Sequence, residues 1–196
     1  MLKWIFDILF SFIGLIILFP FFIIISLIII IDSRGGVFYK QVRVGLNRKT
    51  FELLKFRSMK INADKNGLLT VGGRDSRITK VGYFIRKYKI DELPQLINVL
   101  IGDMSLVGPR PEVPQYVDLY TQEQLKVLAV KPGITDYASI EYSNENELLG
   151  KADHPEEVYI KEIMPAKLKL NQQYISEKKC FKDVKIIFKT IAKILK

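Results

Sequence analysis

The chain has 196 residues, a formal net charge of +9, one cysteine and one histidine. This length fits one domain of ordinary size plus an appendage. A single cysteine cannot form an internal disulfide, which fits a reducing cytoplasm, and so little cysteine and histidine argue against a zinc site or a Ser/His/Asp triad. The basic charge indicates an anionic partner, such as a lipid surface or a phosphorylated molecule.

A long apolar segment comes first in the chain. Residues 8–31 contain no charged side chain and consist almost wholly of isoleucine, leucine and phenylalanine. A helix over them extends about 36 Å at about 1.5 Å per residue, which is enough to cross about 30 Å of hydrocarbon. Pro20, near the middle, predicts a bend or a break. These residues alone slightly favour a kinked spanning helix over a segment that returns to the same face, because a break inside lipid exposes backbone groups.

The positive side chains that follow this segment predict a cytoplasmic main domain. We therefore divide the chain into a membrane segment, residues 1–33, and one further domain, residues 34–196. Two short strands are predicted at 37–44 and 51–56, on either side of a basic turn. The polar loop at 62–77 contains Gly72-Gly73-Arg74-Asp75, which lacks the Lys-Ser/Thr ending of a phosphate-binding loop.

The second half of the domain is predicted to be mainly helical. From Ile78 to Tyr88 apolar residues recur at helical spacing among basic ones. Further helices are predicted over 91–100, ending at Gly102, and over 116–130, before a break at Lys131-Pro132-Gly133. The predicted fold is therefore α+β and mostly helical, with a small hairpin-containing domain.

The last helix is predicted to be amphipathic. Its apolar face carries Val184, Ile187, Phe188, Ile191 and Ile194, and lysines occupy the other face. Such a helix suits a membrane interface with anionic lipid headgroups. On periodicity alone, a surface helix packed on a protein core is equally favoured.

Asp91 and Glu92 are adjacent acids ahead of a helical pattern. Acids in this position are common as helix caps and as partners of the helix dipole. A carboxylate can also attack phosphorus and form an acyl phosphate, which makes Asp91 a candidate nucleophile. Glu92 is then a candidate base, and the pair could share a Mg²⁺ ion with a substrate diphosphate. The candidate cations for the transferred phosphates are Lys55, Arg57, Arg86 and Arg110.

The acidic pair belongs to a set of motifs that extends over nearly the whole chain. The set comprises Gln41-Val42-Arg43-Val44-Gly45, Lys55-Phe56-Arg57-Ser58-Met59, Phe84-Ile85-Arg86-Lys87, Asp91-Glu92-Leu93-Pro94-Gln95-Leu96, Asn98-Val99-Leu100, Gly102-Asp103-Met104-Ser105, Val107-Gly108-Pro109-Arg110-Pro111 and Lys131-Pro132-Gly133-Ile134-Thr135. Together these motifs strongly resemble the monotopic phosphoglycosyl transferases, the bacterial sugar transferases that begin glycoconjugate assembly.

The resemblance implies a reaction and a site. Asp91 would attack the β-phosphorus of a UDP-sugar, release UMP and hold the phosphosugar as an acyl phosphate. Polyprenol phosphate would then take the phosphosugar, with Glu92 and Mg²⁺ assisting. The predicted substrate-binding residues are Lys55, Arg57, Arg86, Gly108, Pro109, Arg110 and Pro111. The resemblance also implies a re-entrant segment broken at Pro20, on the cytoplasmic face of a bacterial inner membrane.

Two departures from the family pattern stand out. Phe19 precedes Pro20 where many relatives have serine, and residues 136–142 replace a Gly-x-Ala-Gln-Val-x-Gly-Arg pattern, so the sugar is left open. The alternative function is a basic membrane adaptor that clusters anionic lipids without catalysis. Nucleic-acid binding is disfavoured because aromatic residues are not interleaved with the basic ones. The oligomeric state is also left open.

Overall fold

The computed structural model describes residues 2–63, 67, 69–72, 75–177 and 180–194. Gly73 and Arg74 of the predicted polar loop lie outside these residues, as does the side chain of Cys180. Within them, the prediction of a mostly helical chain with some sheet is confirmed. The elements are α1 (Leu2–Asp32), β1 (Phe38–Val44), β2 (Thr50–Phe56), α2 (Lys80–Lys87), α3 (Gln95–Ile101), β3 (Ser105–Val107), α4 (Pro114–Val117), β4 (Gly133–Thr135), α5 (Tyr137–Glu141), α6 (Glu145–Gly150), α7 (Pro155–Val158), α8 (Met164–Glu177) and α9 (Cys180–Ile194).

The long apolar helix α1 continues through Pro20, so the break predicted there is not confirmed. A proline keeps a φ angle that suits a helix and removes one backbone hydrogen bond, which a long helix tolerates. By length and composition α1 could cross a membrane. Much of its surface is apolar and exposed: Ile17 is 70% exposed and Ile31 is 83% exposed. This surface requires an apolar environment.

The first turns of α1 are held to the domain by polar contacts. The Lys3 ammonium lies 2.7 Å from the carboxylate of Asp183 in α9. The buried carboxylate of Asp7 accepts hydrogen bonds from the Ser105 hydroxyl at 2.8 Å and from the backbone amide of Leu106 at 3.1 Å. Because charged groups are rarely buried without partners, these contacts explain why Lys3 and Asp7 occur at this end of an apolar helix.

The other end of α1 packs on the same domain. Ile25 and Ile29 form a buried cluster with Phe56 of β2 and Ile85 of α2. The Arg57 guanidinium, which follows β2, donates to carbonyl oxygens at the end of the helix. Both ends of α1 therefore contact one folded body.

Strands β1 and β2 pair antiparallel, with Phe38 opposite Phe56 and Val44 opposite Thr50. They lie within one residue of the predicted bounds. Alternation along β2 buries Leu53 and Phe56 in two different apolar clusters. The pairing also fixes the position of Lys55, whose side chain enters the candidate site.

A second small sheet, formed by β3 and β4, was not predicted from the sequence. These strands are parallel and bring the turn after β3 against the start of β4. The approach is so close that a Cβ atom at Gly133 would lie 2.0 Å from the backbone nitrogen of Gly108. Gly133 also donates a backbone hydrogen bond to Pro109 at 2.9 Å. Glycine at these two positions is therefore what allows the turn that carries Arg110.

Two predicted helices are interrupted. The helix predicted over 91–100 is a 3₁₀ turn, Ile90–Glu92, followed by α3, which ends as predicted at Gly102 with φ 96°. The helix predicted over 116–130 is divided into α4 and a 3₁₀ segment, Gln124–Ala129. Thr121 and Gln124 exchange side-chain and backbone hydrogen bonds, a capping box that starts a new helical segment.

Candidate active site

The carboxylates of Asp91 and Glu92 are both buried, at 3% and 9% exposure. They lie in the 3₁₀ turn Ile90–Glu92 between α2 and α3. Lys89, immediately before this turn, has left-handed backbone angles of φ 54° and ψ 21°. Its carbonyl oxygen accepts a hydrogen bond from the Glu92 amide at 3.1 Å. Because burying a charged group is costly, each acid needs a compensating partner or must be neutralised.

Glu92 is compensated by two cations. The Arg110 guanidinium binds both of its carboxylate oxygens, with Nη1 at 2.9 Å from Oε2 and Nη2 against Oε1. The Lys55 ammonium lies 3.5 Å from Oε1. Burial opposes ionisation of Glu92, but the charges of Arg110 and Lys55 outweigh it and hold the pKa of this carboxyl well below its usual range. Glu92 is therefore a carboxylate at neutral pH.

Asp91 has a different environment. Burial raises the pKa of this carboxyl, and the positive charge of Lys55 opposes the rise. Its Oδ1 atom is buried and has no hydrogen-bond partner within the part of the chain that the structure describes. Buried carboxylate oxygens are nearly always hydrogen-bonded, so this oxygen is a candidate reactive or ligand-binding atom. A carboxylate with a raised pKa is also the more basic nucleophile once it is ionised.

Lys55 contacts the acidic pair from β2. Burial lowers the pKa of its ammonium from 10.5 to about 8, against the attraction of Glu92. Its charge acts on Glu92 and on Asp91. Lys55 is therefore a cation close to both carboxylates that begins to lose its proton slightly above neutral pH.

Arg86 approaches the pair from the last turn of α2. Its guanidinium donates to the Thr70 hydroxyl at 3.0 Å, and its charge acts on Asp91. Three of the predicted cations, Lys55, Arg86 and Arg110, thus surround the acids. Such a cluster suits a ligand that carries several negative charges, such as a diphosphate.

Arg57 makes its contacts elsewhere. Its guanidinium donates to the carbonyl oxygens of Ile29, Ser33 and Arg34, at 3.3, 2.6 and 2.7 Å, and so caps the end of α1. Helix ends leave such carbonyl groups without partners, and a cation there also complements the helix dipole. The structure therefore gives Arg57 a role in anchoring α1, and its predicted role in substrate binding stays a prediction.

The turn Gly108-Pro109-Arg110-Pro111 positions Arg110. Gly108, Pro109 and Pro111 are buried. The backbone amide of Arg110 donates to Asp136 at 3.1 Å, and the other oxygen of Asp136 caps α5 through the Ser139 amide at 2.6 Å. Asp136 is not among the residues predicted for the site, although aspartate directly before a helix is a typical N-cap. The departure from the family pattern therefore begins at a residue that holds the arginine turn.

A cavity of about 160 Å³ lies beside this turn. Arg110 and Pro111 form part of its wall, together with residues of α6 and α8 that no sequence motif indicated. Thr70, the hydrogen-bond partner of Arg86, also lines it. The cavity thus adjoins the cationic cluster around Asp91.

The predicted Mg²⁺ fits one of the two acids better than the other. Both oxygens of Glu92 are engaged by cations, whereas Asp91 Oδ1 has no partner among the described residues. No group of three or more acidic, histidine or cysteine side chains in the described ranges could hold a metal ion. A magnesium ion would therefore take Asp91 as its protein ligand and draw further oxygens from substrate phosphates, as Mg²⁺ commonly does.

Comparison with known proteins identifies the family. A family model described as "Bacterial sugar transferase" matches residues 1–196. The chain belongs to this family. The resemblance seen in the sequence motifs is thereby confirmed, and the acidic pair with its cations is the candidate active site of this sugar transferase.

Several curated proteins are similar to this sugar transferase. It is 41% identical over 175 residues to "Uncharacterized sugar transferase EpsL" of Bacillus subtilis (strain 168), covering 88% of this chain and 78% of that protein. It is 47% identical over 122 residues to a "Putative undecaprenyl-phosphate N-acetylgalactosaminyl 1-phosphate transferase" of the same organism, covering 62% and 68%. It is 36% identical over 190 residues to "UDP-glucose:undecaprenyl-phosphate glucose-1-phosphate transferase" of Escherichia coli (strain K12), covering 95% of this chain and 39% of that protein.

Proposed function

We propose that this sugar transferase moves a sugar 1-phosphate from a UDP-sugar to polyprenol phosphate, specifically undecaprenyl phosphate. In this proposal the reaction releases UMP and is the first membrane step of glycoconjugate assembly. The observation that carries the proposal is the buried Asp91 carboxylate: one of its oxygens has no partner among the described residues, and the charges of Lys55, Arg86 and Lys89 act on it. The names of the relatives support the two substrates. Those names differ in the sugar, so the sugar is not assigned from them.

The proposed reaction has two displacements at one phosphorus atom. An oxygen of Asp91 attacks the β-phosphorus of the donor, and the bond from that phosphorus to the bridging oxygen breaks. UMP leaves with the bridging oxygen and its electron pair, and Asp91 holds the phosphosugar as an acyl phosphate. A phosphate oxygen of the lipid then attacks the same phosphorus and releases the carboxylate. Covalent catalysis of this kind replaces one hard displacement by two easier ones.

In this scheme the cations and Glu92 have electrostatic roles. Lys55, Arg86 and Arg110 balance the charge of the donor diphosphate during transfer. Glu92 holds Arg110 and Lys55 in place through the contacts described above, and its low pKa makes it a weak base. A bound Mg²⁺ would supply further charge neutralisation at the phosphates.

We also propose that α1 is monotopic, with both of its ends on the side of the domain. A helix that spans a bilayer separates its ends by about 30 Å of hydrocarbon. Here Lys3 contacts Asp183 of the domain, and the far end of α1 is capped by Arg57. The exposed apolar side chains of α1 then face lipid. The proposed location is the cytoplasmic face of the bacterial inner membrane.

Helix α9 supports a contact with anionic lipids. Phe181 is 82% exposed and Phe188 is 68% exposed, while Asp183 and Ile186 of the same helix are buried. The helix therefore packs on the domain by one face and presents aromatic side chains and lysines on others. The alternative function, a lipid-clustering adaptor, shares this feature but does not explain the buried Asp91 oxygen that has no partner among the described residues.

The experiment compares Asp91→Asn with Asp118→Asn, an exposed aspartate as the matched control. Purified protein is given undecaprenyl phosphate and a panel of UDP-sugars, and UMP release is measured. We expect Asp91→Asn to lower UMP release by more than about 10³-fold and the control to match wild type. Mass analysis of quenched wild-type protein should find a phosphosugar on the peptide that contains Asp91. Full turnover by Asp91→Asn would refute the nucleophile, and vesicle binding without any turnover by wild type would favour the adaptor.

A further inference from the structure

The cavity beside Arg110 contains an unpartnered polar atom. Asn171 of α8 lines this cavity and is 4% exposed. Its Oδ1 atom has no hydrogen-bond partner within the described ranges of the chain. A buried acceptor without a partner costs free energy that a bound donor group would recover. Asn171 therefore indicates a ligand that brings an O–H or N–H group into the cavity.

The cavity walls are fixed by ion pairs. The Arg43 guanidinium lies 2.9 Å from Glu112, and the Lys167 ammonium lies 2.6 Å from Glu145. Both pairs are within the cavity lining. Since these charges already compensate each other, the cavity offers little net charge to an anionic group. It suits a neutral, hydrogen-bonding ligand instead.

One part of the cavity wall has an unusual backbone. Tyr159 begins a π-helical turn, Tyr159–Ile163. Such turns are rare in proteins, and those that occur often lie at functional sites. The Tyr159 hydroxyl donates to Glu112, and the Lys167 ammonium lies 5.4 Å from the centre of the tyrosine ring. The aromatic ring and the two carboxylates are thereby held in one arrangement at the cavity.

We propose that this cavity binds the sugar ring of the donor, with Asn171 as a specificity-determining residue that accepts a hydrogen bond from it. The proposal rests on the proposed function. Arg110 connects the cavity to the acidic pair, because it lines the cavity while its guanidinium binds Glu92, the neighbour of Asp91. A sugar in the cavity would therefore place its phosphate on the side of Arg110, toward the acidic pair.

The size and chemistry of the cavity suit a sugar ring. The cavity of about 160 Å³ is much larger than the roughly 10–15 Å³ needed to hold one water molecule, so a ring-sized ligand can enter it. The carboxylates of Glu112 and Glu145 and the amide oxygen of Asn171 are acceptors, and a sugar offers several hydroxyl donors. The competing uridine part offers one uracil N–H and two ribose hydroxyls, so the inhibition constant of UMP is measured to distinguish the two.

The test compares Asn171→Leu with Gln173→Leu, which makes the same kind of change on an exposed position of α8. For each protein, kcat/KM for UMP release is measured with UDP-hexoses and UDP-N-acetylhexosamines, and the inhibition constant of UMP is measured separately. We expect Asn171→Leu to lower kcat/KM for the preferred donor by about 10- to 100-fold and to reduce the preference over the next donor. The inhibition constant of UMP should change less than about twofold, and Gln173→Leu should behave as wild type.

The outcomes separate the two proposals. A loss of UMP inhibition equal to the loss in kcat/KM would mean that the cavity holds uridine, and an unchanged donor preference would equally overturn the sugar assignment. If wild type releases no UMP from any donor, the proposed function itself fails. Asn171→Asp keeps the size and the acceptor oxygen, and it should retain the wild-type preference. Asn171→Ala makes the same test if Asn171→Leu does not fold.

Discussion

Lys55 makes the donor half of the reaction sensitive to alkaline pH. Burial lowers the pKa of its ammonium to about 8, from an ordinary value of 10.5. In the proposed mechanism the charged form balances donor phosphates, so activity should be present below pH 8 and be lost as the pH rises through that value. At pH 9 about one tenth of Lys55 is protonated, and at pH 10 about one hundredth. The kcat/KM for UMP release should fall by these factors, because kcat/KM reports groups of the free enzyme.

The informative variant is Lys55→Arg, since an arginine stays protonated at every pH of the assay. After each profile is normalised to its own plateau, the variant should remain level from pH 8 to 10 while wild type falls. Lys49→Arg, at an exposed lysine of the turn before β2, is the matched control and should keep the wild-type profile. If kcat/KM of Lys55→Arg declined between pH 8 and 10 as it does in wild type, a group other than Lys55 would be responsible for the alkaline decline. The acidic limb, where Asp91 takes up a proton, is expected above the ordinary range of an aspartate because burial raises the pKa of Asp91.

Two further predictions concern the surroundings of the site. Lys89 has a left-handed backbone and a charge that acts on both acids, so Lys89→Gly should raise Tm by about 2–4 °C, for about 1 kcal/mol of relieved strain, and lower kcat/KM severalfold. Lys89→Asn, which also tolerates this conformation, should lose the same activity; wild-type kcat/KM in both would contradict the role of the charge. Lys3→Glu should lower Tm in a thermal unfolding assay by about 10 °C, because it breaks a buried ion pair, and adding Asp183→Lys should restore part of the loss. A wild-type Tm in Lys3→Glu would mean that the pair does not hold α1.

The parts of the fold that are local in sequence could be predicted. The strands around the basic turn, α2 and the end of α3 at Gly102 follow from alternation, helical spacing and a glycine that adopts a left-handed conformation. The two acids and three of the surrounding cations could be predicted because each lies within a short, uninterrupted sequence motif. The contact between Lys55 and Glu92 joins residues that are distant in sequence, and only the family resemblance implied that they lie in one site.

What could not be predicted depends on contacts between distant segments. The parallel pairing of β3 with β4 joins three-residue strands that carry no periodicity. In the sequence Asp136 resembles an ordinary helix cap. Only the fold shows that it also accepts a hydrogen bond from the Arg110 amide. Asp7 is a single acid beside an apolar run, and its partners lie about a hundred residues away.

The acidic pair illustrates how one local sequence produces two different chemical groups. Asp91 and Glu92 are neighbours in a 3₁₀ turn, and both are buried. Burial alone would raise both pKa values. Within the described part of the chain, however, the Arg110 guanidinium hydrogen-bonds to Glu92 and not to Asp91, and it lowers the pKa of the Glu92 carboxyl. Titratable groups whose environments separate their pKa values are a mark of divided roles. In the proposed mechanism Glu92 holds the cations in place, and Asp91, which has an oxygen without a partner among the described residues, is the nucleophile. Exchanging Asp91 and Glu92 should therefore remove both functions.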